Sequence, residues 1–161
     1  MRTEDPGMAS AHFSIVTAAP ESLQIALNEL HKTGGWTRVL RSFGAQVAAV
    51  DPAELAPPLQ RDELVLHYRE TAQVYLRHAG EFDIIVNDMK MDVGESAALM
   101  TTAARSLRPG GIGVMTLKLP KRQQERLVTL SLDRLRHAYE IIGARQLYHN
   151  RSEVTVALRT I

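Results

Sequence analysis

Apolar residues in this chain fall into short continuous runs separated by longer stretches with helical spacing. Residues 12–17 (HFSIVT), 45–50 (AQVAAV), 82–86 (FDIIV) and 112–119 (IGVMTLKL) are compact apolar runs, each halted by a breaker. The breakers are Ala18-Ala19-Pro20, Asp51-Pro52, Asn87-Asp88 and Pro120. Such runs predict strands buried on both faces. Residues 21–32, 36–43, 71–78, 96–107 and 123–142 predict helices, several with a glycine or proline signal at an end. Residues 52–62 predict a loop, because Pro57 and Pro58 do not both belong inside a regular helix. A short strand is expected at 65–67, and residues 144–148 and 153–158 flank a polar HNRS turn as a terminal antiparallel pair.

Strands alternating with helices predict an α/β fold with a mostly parallel sheet, helices on both faces and a terminal antiparallel strand. Ligands in such sheets bind outside the carboxyl ends of the strands. Attention therefore goes to Asp51, Asp88 and Lys118-Leu119-Pro120, which follow or end predicted strands. Glu153 joins them at the start of the last one. An acid, an amine and a second acid at strand ends are costly in a core and useful for moving a proton. Each alone has an ordinary explanation: a turn-forming Asp88, a snorkelling Lys118, an outward-facing Glu153.

Composition narrows the classes. With 161 residues, 45% hydrophobic and 23% charged, the chain suits one soluble domain. Its 19 basic and 18 acidic residues leave a formal charge of +1, so any pull on nucleic acid must be local. There is no cysteine, which removes disulfides, thiol nucleophiles and cysteine-held metals. No metal is expected, since the six histidines lack paired ligand spacing. No apolar run approaches the roughly 20 residues that span a bilayer, and a cytoplasmic location is expected.

Gly34-Gly35-Trp36 opens a predicted helix, where glycines let the backbone approach an anionic ligand or simply make a turn. Asp51 can accept hydrogen bonds from a ribose, or cap the helix that Pro52 begins. Taken in order, GGWTRVL, VDPAEL, FDIIVNDM, LRPGG-IGVMTLKLP and SEVTVAL resemble the FtsJ-type methyltransferases that modify the ribose 2′-hydroxyl of ribosomal RNA. The VNDM and LKLP pieces are most similar to the subgroup acting on large-subunit RNA.

The resemblance implies a Rossmann-like class I methyltransferase domain over residues 34–161 that binds S-adenosylmethionine. Residues 1–33 are then a leader and the remnant of an N-terminal accessory domain. Gly34, Gly35, Trp36, Asp51, Glu70 (or Thr71) and Asp88 correspond to cofactor-binding positions. Lys118 corresponds to the catalytic lysine, with Asp88 and Glu153 as its acids. A lysine acting as base needs its pKa lowered, whereas two ionised acids beside it favour the ammonium.

The family carries a further lysine upstream of the glycines, and no residue here matches it. Lys32 is the only lysine before Gly34, and its LHKTGG setting differs. The family's strand and turn leading into the glycines are also absent, as if residues were deleted around Lys32-Thr33. Lys121, Arg122, Arg126, Arg134 and Arg136 form a basic stretch suited to RNA phosphates or to a solvated helix face. RNA is the expected partner. A non-catalytic RNA- or protein-binding module on the same fold is the main alternative. A nicotinamide oxidoreductase fits less well, because no complete G-x-G-x-x-G is present.

Overall fold

The computed structural model describes residues 13–16, 36–147 and 150–161. Their strands are β1 (Phe13–Val16), β2 (Val47–Val50), β3 (Val65–Tyr68), β4 (Phe82–Asn87), β5 (Leu107–Lys118), β6 (Tyr139–Leu147) and β7 (Asn150–Thr160). The helices are α1 (Trp36–Ser42), α2 (Pro57–Gln60), α3 (Ala72–Tyr75), α4 (Val93–Ala103) and α5 (Gln124–Leu135), with a 3-10 turn at Ala104–Ser106. One sheet holds all the strands in the order β3-β2-β1-β4-β5-β7-β6.

Pairing is parallel for β2–β3 and β4–β5, and antiparallel where β1 or β7 meets a neighbour. It follows that β2 to β6 all point one way, with β1 and β7 reversed. β7 is the expected terminal antiparallel strand. The reversal of β1 was not anticipated, and its residues come from the segment assigned above to an accessory-domain remnant. Phe13 pairs with Val50 and Asn87, and Val16 with Val47 and Ile84. The chain thus leaves β1 at the edge where β2 and β4 begin, away from Asp51.

The sheet divides two apolar clusters. On one face, Ile85, Met115, Leu117, Val156 and Leu158 pack with Tyr75 of α3, Met100 of α4 and Leu135 of α5. On the other, Val47, Ile84, Val86, Ile112 and Val114 pack with Leu40 of α1. Helices therefore cover both faces. Fully burying aliphatic side chains of this size stabilises the fold by about 1.5–3 kcal/mol each. Gly113 allows close packing between helix and sheet, since a Cβ there would lie 3.0 Å from Met100 Cε. Gly44, at φ +80°, closes α1: its N–H donates to Arg41 O and that of Ala45 to Leu40 O. That paired arrangement satisfies carbonyls the helix end would leave open.

Local expectations fail in instructive places. Pro57 and Pro58 do enter a helix, as the first residues of α2, where an N–H would have no intrahelical acceptor to lose. The expected helix 123–142 stops at Leu135, and Tyr139 to Ile142 belong to β6. There β7 supplies a ladder, while the buried Tyr139 hydroxyl donates to Met100 O at 2.7 Å. Helix α4 starts at Val93, before the expected 96, because Asp92 Oδ1 accepts from the N–H groups of Gly94 and Glu95. Among the described residues no helix is long and apolar enough to cross a membrane.

Candidate active site

The carboxyl ends of β4 and β5 and the start of β7 meet at one edge of the sheet. Asn87 ends β4 fully buried, with Nδ2 donating to Ser96 Oγ at 3.1 Å and Oδ1 accepting from the Met89 N–H at 3.1 Å. These bonds fix the turn that carries Asp88. Lys118 ends β5 on the alternation that places Ile112 and Val114 against the α1 face. Its register partner on β7 is Glu153, and Leu119 N–H extends the ladder to Ser152 O at 2.7 Å.

Lys118 Nζ donates to Asp88 Oδ1 at 2.7 Å and to Glu153 Oε1 at 3.0 Å. The three residues that the sequence scatters over 65 positions thus form one ion-paired group, each side chain about a quarter exposed (23%, 24% and 26%). Burial pulls the Lys118 ammonium toward neutrality, but the hydrogen bonds and charges of Asp88, then of Glu153, outweigh it. Its pKa lies above the ordinary 10.5. Lys118 is a cation at neutral pH, and among the described residues two of its three N–H donors are engaged.

A cleft of about 410 Å³ adjoins this group, lined by Val50-Asp51-Pro52, Thr71-Ala72-Gln73 and Met89-Lys90-Met91. The loop after β4 serves both places, sending Asp88 to the lysine and the next residues to the cleft. Asp51 is held by its backbone: its N–H donates to Tyr68 O and its carbonyl accepts from His67 Nε2 at 3.0 Å. Oδ1 accepts from the Ala53 N–H at 2.9 Å in a tight turn, and not as the cap of a helix weighed from sequence, since the next helix begins only at Pro57. Oδ2 is buried and, among the described residues, has no hydrogen-bond partner. A buried carboxylate oxygen left bare is costly unless a ligand donates to it. The donor that Oδ2 lacks is a hydroxyl or an amine.

The remaining expected site residues are distributed differently. Gly34 and Gly35 lie outside the described residues. Trp36 begins α1 and packs on the apolar cluster beneath it. Glu70 directs Oε1 to His78 Nε2 at 3.2 Å, whereas Thr71 lines the cleft and caps α3 through the Val74 N–H. Asp88 faces Lys118 and is not among the cleft residues. Of the basic stretch, Arg136 pairs with Asp133 at 2.7 Å, while Lys121, Arg122 and Arg126 are exposed. Sequence reasoning missed Asn87, Ser96 and Lys90. The Asn-Asp pair ending an apolar run was the available signal for Asn87.

No family model matches the chain. It is 38% identical over 126 residues to the ribosomal RNA large subunit methyltransferase M of Halorhodospira halophila, covering 78% of this chain and 37% of that protein. For the protein of the same name from Pseudomonas aeruginosa the figures are 33% over 152 residues, 89% and 41%. The chain therefore spans well under half the length of these curated relatives. Among solved structures, the Methanococcus jannaschii fibrillarin pre-rRNA processing protein matches with TM-score 0.55 at 17% identity, over 70% of this chain and 55% of that one. The Burkholderia thailandensis 1,6-didemethyltoxoflavin-N1-methyltransferase, solved with S-adenosylhomocysteine, matches with TM-score 0.59 at 17% identity, over 79% and 66%. The fold is that of the class I, Rossmann-like methyltransferases.

Proposed function

We propose that this chain, a homologue of the large-subunit ribosomal RNA methyltransferase M proteins, carries an S-adenosylmethionine-dependent methyltransferase domain acting on a ribose 2′-hydroxyl of ribosomal RNA in the cytoplasm. The observation that carries the proposal is Lys118 bridging Asp88 and Glu153 beside a cleft that contains the bare Oδ2 of Asp51. The cofactor, when bound, supplies an electrophilic methyl group. Asp51 would hold its ribose, Oδ2 accepting a hydrogen bond from a hydroxyl. Asp88 and Glu153 hold Nζ in place, and its third N–H orients the target hydroxyl, so positioning supplies much of the rate. To accept the hydroxyl proton, Lys118 must first lose its own to solvent. Nζ would then take the proton of the target hydroxyl, leaving its oxygen free to accept the methyl group that the bound cofactor would supply, the methyl–sulfur bond breaking with its electron pair left on sulfur.

The test is methyl incorporation into ribosomal RNA by the wild type and by Lys118→Ala. A loss of at least about 100-fold is expected for removal of a general base; equal incorporation rejects the role. The second reading, a non-catalytic binding module, is favoured by the reversed β1, whose exit lies away from Asp51. Calorimetry with S-adenosylmethionine separates the two, since a folded protein that binds none supports the module.

A further inference from the structure

We infer that Lys90, on the loop after β4, and Lys121 with Arg122, on the loop after β5, clamp the phosphodiester backbone of single-stranded RNA on either side of Lys118. The inference rests on the proposed substrate class and names the surface that grips it. Lys118 with Asp88 and Glu153 amounts to one positive and two negative charges, a site that by itself repels phosphate. The flanking loops reverse that balance.

Lys90 follows Asp88 by two residues and lines the cleft, so its Cα lies within about 7 Å of that of Asp88. Lys121 and Arg122 follow Lys118 by three and four residues, and the 2.7 Å bond between Lys118 and Asp88 sets the two loops face to face. All three cations are exposed, and among the described residues none forms an ion pair or hydrogen bond. The acids nearest in sequence do not cancel them equally. Asp92 is committed to capping α4, whereas Glu125 is exposed in the first turn of α5.

The second loop is held in shape. Gln123 takes the left-handed conformation, φ 58° and ψ 28°, uncommon for a residue with a side chain. Gln124 Nε2 donates to Pro120 O at 2.9 Å, closing the loop around Lys121 and Arg122. Backbone strain of this kind persists where the surroundings fix it and is frequent beside functional sites. Lys118 Nζ is also recessed, so a ribose must be turned out of a helix to reach it. That favours a single strand over a duplex.

Binding of a labelled single-stranded RNA oligonucleotide, measured across salt concentration, tests the clamp. Each phosphate contact to a single strand contributes about 0.7 to the slope of log K against log salt, so Lys90→Ala/Lys121→Ala/Arg122→Ala is expected to flatten it by about 2. Arg105→Ala, near the opposite edge where β5 begins, is expected to leave the slope unchanged. The clamp is overturned by a wild type that does not bind the RNA, by an unchanged slope in the triple variant, or by equal flattening in Arg105→Ala. Tighter binding of an RNA duplex overturns it too. A wild type that binds with the expected slope but transfers no methyl group defeats the proposed reaction and leaves the clamp standing.

Discussion

The β4–β7 half of the sheet and the β1–β3 half are built on the same plan and completed to different degrees. In the first, the β5–β7 ladder runs without a break from Ile112↔Arg159 to Lys118↔Glu153. The charged group is a consequence of that register, for a slip of one residue would send Glu153 to the other face. In the second, Asp51 is equally well fixed by β3, but the strand beside it is four residues long and reversed. The proposed catalytic group follows from one long ladder, whereas the proposed cofactor cleft draws on the loops after three separate strands.

The sharpest way to break this comparison is at Lys118. Lys118→Ala should reduce methyl transfer by at least about 100-fold while S-adenosylmethionine binding, measured by calorimetry, persists, because the amine belongs to the other half. Lys118→Arg should not rescue, since a guanidinium keeps its proton.

Next in size is the dependence on pH. With the Lys118 pKa above 10.5, the neutral amine is a small fraction at neutral pH and grows about tenfold per unit. Single-turnover methyl transfer should therefore rise through the alkaline range, and a flat profile would remove Lys118 as base. Stability has the opposite sign. A lysine whose folded pKa is raised contributes stability that is fully present below the unfolded value and lost as pH climbs through the folded one. Denaturant midpoints should fall above about pH 10.5, and fall less in Lys118→Met.

Asp51→Asn probes the other half. Because Oδ2 has no partner among the described residues, the change should cost little stability and weaken S-adenosylmethionine by about 1.5–3 kcal/mol, the usual worth of a hydrogen bond to a charged group. Unchanged affinity would detach the cleft from the cofactor. Asn87→Ala, which leaves Ser96 and the Met89 N–H short of a partner, should cost about 1–3 kcal/mol in urea unfolding and also lower kcat through Asp88. The smallest effect expected is Thr71→Ala, about 0.5–2 kcal/mol from the lost α3 cap. If it weakens the cofactor as well, Thr71 touches that ligand.

Much of the β4–β7 half was legible because its signals are local. The runs FDIIV and IGVMTLKL are apolar throughout, and strands buried on both faces must be. Asp88 and Lys118 stand where those runs stop. Glu70 shows the limit: it occupies the expected position, yet its carboxylate turns to His78 while Thr71 faces the cleft. A spacing in sequence does not fix which of two neighbours points inward.

By itself, the sequence determined where strands could lie, which polar residues stood at their ends, and that an acid, an amine and an acid would come in that order. Tertiary structure decided what those pieces became. It turned Tyr139 to Ile142 from helix to strand because β7 offered unpaired ladder groups, reversed β1 between β2 and β4, and brought Asp88 and Glu153 close enough to keep Lys118 charged. Each of these depends on partners distant in sequence, and pairing free energies and charge interactions act through space rather than along the chain.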